Sequence, residues 1–104
     1  MGANQSEIIL KVLEGPDVAF VGRKLASVSS AERSGYRAEL AIYRTESGMH
    51  VCAKRMVSCP DNVHHEQIVS ICDSAERIGE FFGYDRYAKM LYAIVDIDMA
   101  VHVE

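Results

Sequence analysis

Residues 63–82 read VHHEQIVSICDSAERIGEFF. Ile68, Ile71, Cys72, Ala75, Ile78, Gly79 and Phe82 recur at helical steps, while Glu66, Gln67, Ser70, Asp73, Ser74, Glu76, Arg77 and Glu80 fill the opposite side. This spacing predicts one amphipathic helix over 63–82 with its apolar stripe turned to a core. Asn62 is placed to cap it, Glu66 sits near the favourable dipole end, and Gly83 suits the left-handed position that ends a helix. Asp85 then caps a shorter helix over 86–94, with Met90, Leu91 and Ile94 on its apolar face.

Outward from this segment the period changes from helical to alternating. Towards the C-terminus, Val95, Ile97, Met99, Val101 and Val103 alternate with Asp96, Asp98, Ala100, His102 and Glu104, which predicts a strand returning to the sheet. Towards the N-terminus, Tyr36, Ala38, Leu40 and Ile42 share one face of a strand over 36–45, and Arg37, Glu39, Tyr43 and Thr45 share the other. Glu46-Ser47-Gly48 supplies a hairpin turn, with Gly48 suited to positive φ. On the return strand over 49–57, Met49, Val51, Ala53 and Val57 face one way and His50, Cys52, Lys54 and Met56 the other. Residues 18–28 are β-prone, with Gly22 as a bulge candidate. Residues 7–14 fit an edge strand or a helical turn about equally. The expected fold is α+β: a mostly antiparallel sheet in the order β-β-β-α-α-β, with an extra N-terminal strand left open, and two helices on one face. The 104 residues fit one domain over 1–104, with residues 1–6 expected to be flexible.

Pro16 and Pro60, the only prolines, each sit in a turn cluster. No apolar run approaches the ~20 residues of a membrane span, and the N-terminus has no basic region of a secretory signal, so the cytoplasm is the expected compartment. Cys52, Cys59 and Cys72 are an odd set, expected to be reduced thiols, with Cys72 a buried one. The net charge of −4 is uneven: residues 1–60 carry +2 and residues 61–104 carry −6. Such a chain is poorly suited to wrapping a nucleic-acid backbone. Arg23, Lys24, Arg37, Arg44, Lys54 and Arg55 are candidates for a basic sheet face opposite an acidic helical layer.

Four groupings are chemically suggestive. His50, Cys52, Cys59, His64 and His65 lie close in sequence and offer sulfur and nitrogen donors of the kind zinc takes, though without a C-x₂-C pair. Cys59 with His64 or His65 is the one local thiol–imidazole option for a nucleophile. Asp96 and Asp98 pair along one strand face with His102 beyond, an arrangement more typical of a charged edge than of a cation site. Phe81, Phe82, Tyr84, Tyr87 and Tyr92 crowd the helix–helix junction and suit a core corner. No phosphate loop, nucleophile elbow, metalloprotease helix or dinucleotide fingerprint is present.

Three pieces form a familiar set: Phe20-Val21-Gly22 running to Leu25-Ala26 and Ser29-Ser30; Leu40-Ala41-Ile42-Tyr43-Arg44-Thr45 followed by Gly48; and Phe82-Gly83 followed by Ala88-Lys89 and Leu91-Tyr92. Together they resemble small uncharacterised proteins carried by phages and plasmids, a class that includes anti-CRISPR proteins. The resemblance implies a protein that occupies a surface of a larger host machine. The expectation is therefore a non-enzymatic binding protein without a cofactor, an inhibitor of a nucleic-acid-targeting defence complex. Its contact residues would be Glu66, Asp73, Glu76 and Glu80 on one helix face, then Asp96 and Asp98. The partner would be a protein, with no direct nucleic-acid or membrane contact. The alternatives are a metal- or thiol-dependent protein built on Cys52, Cys59, His64 and His65, and a homodimeric structural or regulatory module.

Overall fold

A computed structural model describes residues 6–100 and Val103. The chain forms five strands and then two helices: β1 (Ser6–Leu10), β2 (Val18–Ser29), β3 (Tyr36–Thr45), β4 (His50–Ser58), β5 (Val63–Cys72), α1 (Ala75–Phe82) and α2 (Arg86–Val95). All neighbouring strands pair antiparallel in the order β1-β2-β3-β4-β5. The fold is a small α+β fold with an antiparallel, curled sheet and two helices. The curl is visible where Val12, just beyond β1, bridges Gln67 of β5 and the Leu13 amide donates to the Gln67 carbonyl at 2.9 Å.

The largest departure from expectation is at 63–72, which is strand β5 and not the first part of a helix. Val63, Ile68, Val69 and Ile71 are β-branched and lose rotamer freedom in a helix, and β4 pairs with each of them, with one register shift between Arg55 and Val57. Ile68 and Cys72 lie on one face of β5, and Val69 and Ile71 on the other. With apolar residues on both faces the strand shows no alternation, and its spacing passes for helical. The helix starts only at Ala75, where Ser74, not Asn62, is the cap: its Oγ accepts from the Arg77 amide at 3.2 Å.

The order is thus β-β-β-β-β-α-α instead of β-β-β-α-α-β, with 7–14 resolved in favour of a strand at Ser6–Leu10. The expected C-terminal strand is not seen in residues 96–100. Asp96 ends α2 in the left-handed conformation (φ 58°), its amide bonded to the Tyr92 carbonyl, and Ile97 and Met99 fold back on the core beside the helices. Val101, His102 and Glu104 of that expected strand, and residues 1–5 of the expected flexible terminus, lie outside the described residues; Ser6 opens β1. Asp85 caps α2 as expected, its Oδ1 accepting from the Ala88 amide at 2.9 Å. The inward face of α2 is Ala88, Leu91 and Tyr92, while Met90 and Ile94 are exposed, and Tyr92 Oη donates to the Gly83 carbonyl at 2.6 Å.

Two cores lie on opposite sides of the sheet. Val28, Leu40, Ile42, Cys52 and Cys72 pack beneath Ile78, Phe82, Ala88, Leu91 and Tyr92. On the other side Leu10, Tyr43, Val51 and Ala53 pack with Ile8, Val18, Phe20, Ala41 and Val69. Each fully buried Leu or Ile contributes about 1.5–3 kcal/mol. Gly22 is required by close approach, since a β-carbon there would collide with the Arg44 carbonyl. The bulge in β2 lies further along, at Leu25 between Lys24 and Ala26. No helix among the described residues is long and apolar enough to cross a membrane.

A candidate ligand cup on the concave sheet face

The hairpin between β3 and β4 fixes which side chains meet on the concave face. Counting outward from it, Tyr43 pairs with Val51, Ala41 with Ala53, and Glu39 with Arg55. Continued into the neighbouring strands, the register makes three rows. These are Lys24–Tyr43–Val51–Ile71, Ser27–Ala41–Ala53–Val69 and Ser29–Glu39–Arg55–Gln67. The middle row is small at Ser27, Ala41 and Ala53, so the curled sheet leaves space above it. The result is a cavity of about 610 Å³ reached by Lys11, Lys24, Glu39, Arg55, His64 and Gln67. This lies within the range of ~300–1,000 Å³ typical of small-molecule sites.

The bulge at Leu25 matters here. Lys24 and Ser27 are three residues apart, a spacing that a regular strand sends to opposite faces. The extra residue restores them to one face, a re-aiming that bulges commonly perform.

The charged row is tied together. Arg55 Nε and Nη2 both reach Glu39 Oε1 at 2.9 Å, and Arg37 Nη2 donates to Glu39 Oε2 at 3.2 Å. Burial works against the ionised Glu39, but the hydrogen bonds from Arg55 and Arg37 outweigh it and hold the carboxyl below its usual range. Arg37 Nη1 also donates to Asn62 Oδ1 at 2.9 Å, which fastens the turn before β5 to β3. The Lys24 ammonium lies 5.8 Å from the centre of the Tyr43 ring, and burial pushes the Tyr43 hydroxyl's pKa up.

The residues singled out in the sequence scatter differently. Of the six basic candidates, Lys24 and Arg55 line the cup, and Arg37 lies on the same face beside it, bonded to Glu39 and Asn62. Arg23, Arg44 and Lys54 lie on the helix-bearing face, where Lys54 sits 5.4 Å from the Phe81 ring centre. Glu66 lies in β5, Asp73 in the turn after it, and Glu76 and Glu80 on α1, so these four do not form one helix face. Asp96 ends α2, and Asp98 in the next segment accepts from the Ala100 amide at 3.0 Å.

The Cys/His cluster is divided by the sheet. Cys52 is fully buried on the helix-bearing side, and burial, with Cys72 beside it, raises its pKa far above the ordinary thiol value. His64 reaches the cup on the other side. His65 Nε2 is 2.6 Å from Ser58 Oγ, and Cys59 Sγ accepts from Arg37 Nη1 at 3.6 Å, so neither histidine is bonded to Cys59. Among the described residues no group of three or more His, Cys, Asp or Glu side chains is placed to hold a metal ion.

Ser27, Glu39, Ala41, Ala53 and Gln67 were not singled out from the sequence. For Glu39 with Arg55, and Ala41 with Ala53, the signal was present: each pair is equidistant from the Glu46-Ser47-Gly48 turn. No family model, curated protein sequence or solved structure matches this chain.

Proposed function

We propose that the protein is a non-enzymatic binding protein whose concave cup takes a small anionic ligand, a carboxylate or phosphate ester with an apolar portion. One observation carries this reading: in a chain of net charge −4, the cup gathers Lys24 and Arg55 around a single carboxylate, Glu39, that Arg55 and Arg37 together more than neutralise, while Lys11 beside it is paired with Asp17 at 3.3 Å. An anion entering this site meets the net positive charge of Lys24 and the Arg37–Glu39–Arg55 group, and the Ala41–Ala53 floor with Tyr43 beside it accepts an apolar part.

The test is a titration of the labelled protein, by NMR, with matched small carboxylates, phosphate esters and neutral analogues. Amide shifts confined to the three rows, weakened by salt and at least tenfold weaker in Lys24→Gln, are expected; tenfold corresponds to about 1.4 kcal/mol. Shifts outside the rows, or equal binding of the neutral analogues, would sink the reading.

A second reading is an inhibitor of a nucleic-acid-targeting protein complex, anti-CRISPR-like, acting through acidic groups. It is favoured by Glu76 of α1 and Asp98 lining one depression with Tyr84, with the exposed Glu80 one turn along. Reversing Glu76 and Glu80 to Lys abolishes inhibition of such a complex in this reading. Undiminished inhibition removes it.

A further inference from the structure

The two outer strands of the sheet end differently. Carbonyls and amides of a strand point alternately to its two sides. The Gln67 carbonyl points away from β4, because it accepts from Leu13. The β4–β5 register is unbroken from Gln67 to Cys72. The amides and carbonyls of Val69 and Ile71 therefore also point outward, and among the described residues no backbone bond reaches them. From Gln67 to Cys72 there is no charged residue, proline or glycine, and Ile68 and Ile71 are 50 % and 56 % exposed on opposite faces. Edge strands kept apart from other chains carry charges, prolines or bulges. β1 obeys that rule, with exposed Glu7 within it and Lys11 just beyond; this end of β5 does not.

We infer that the 69–73 edge of β5 pairs antiparallel with the same edge of a second copy of this chain, about a two-fold axis at Ile71. The segment at Val12–Leu13 occupies the edge at Gln67, so the shared ladder starts at Val69, and α1 begins soon after Asp73. Centred in this way, Ile71 faces the partner's Ile71 and its exposed side chain is covered. Asp73 falls opposite the partner's Val69, so no carboxylate meets its own image. A two-fold interface places a patch against itself, which suits an edge that is uncharged at its centre. The pairing joins two sheets into one and leaves both cups open.

Sedimentation velocity and light scattering across a concentration series, up to millimolar chain, test the inference. The wild-type protein is expected to reach the mass of two chains. Ile71→Lys, which supplies the missing edge charge, is expected to halve that mass with its circular dichroism unchanged. Val69→Pro removes an outward-facing amide, together with the packing of Val69 on the concave-side core, and is expected to do the same; it stands in should Ile71→Lys fail to fold. Ile9→Lys, on β1, is expected to remain dimeric. A wild-type chain that is monomeric throughout, or a dimer insensitive to both β5 variants, overturns the inference. A dimer lost only on substitution of the exposed Tyr36 or Met56 likewise overturns it.

Discussion

On the helix-bearing face of the sheet, Leu40, Ile42, Cys52 and Cys72 meet Ile78, Phe82 and Leu91, and among the described residues no polar or charged one is buried. On the concave face the same two central strands present Glu39, Ala41, Ala53 and Arg55 around open space. Neighbouring residues of one strand therefore serve opposite ends: Leu40 and Ile42 anchor the helices, while Glu39 and Ala41 between and beside them shape the cup. The larger core lies on the helix-bearing side, and the smaller one on the other side leaves room for a cup.

That contrast can be broken by substitution. The largest effect is expected from Leu91→Ala, which opens a cavity beneath α2 and costs about 2–5 kcal/mol in urea unfolding. Arg55→Ala on the cup side leaves Glu39 with Arg37 alone in a partly buried setting, and is expected to cost about 1–3 kcal/mol. The next effect is one of pH. Since the folded-state value of Glu39 is depressed, its contribution to stability is present above the unfolded value, about 4.3, and is lost as pH falls through the folded one. Stability curves of the wild-type protein and Glu39→Gln should converge in acid and separate, with the wild type more stable, towards neutrality; parallel curves would show that the arginines do not hold Glu39 ionised. Ala53→Leu is expected to be the smallest, about 1 kcal/mol: Ala53 is buried beside Tyr43 and Val51, but it borders the cup, into which the added carbons can extend. A loss as large as that of Leu91→Ala would mean that the cup has no room above Ala53. Loss of ligand with stability retained would sharpen the division.

The strands around the β3–β4 hairpin were legible because polar and apolar residues alternate along β3, and because Gly48 marks the turn. β3 matches its expected limits, and β2 and β4 lie within one residue of theirs. β5 was not legible: Ile68, Val69, Ile71 and Cys72 put apolar side chains on both faces, and the residue spacing alone favoured a helix. The tail misled in the opposite direction. Its alternation reflects Ile97 and Met99 dipping onto the helices while Asp96 and Asp98 stay in water, a pattern that an irregular segment shares with a strand. The cup was half legible. The basic residues were visible as a set, but their division between the two faces depends on the β2 bulge and on the strand identity of β5.

The bulge at Leu25 gives β2 one position that its pairing does not count. Removing Leu25 would place Lys24 directly beside Ala26, still opposite Tyr43 and Ile42 respectively, so every other side chain in β2 would keep its face. Removing Val28 instead would send either the cup residues or the core residues on one side of it to the wrong surface. Loss of a single codon would thus be tolerated at this position, at the cost of Leu25's own packing, and ruinous three codons later.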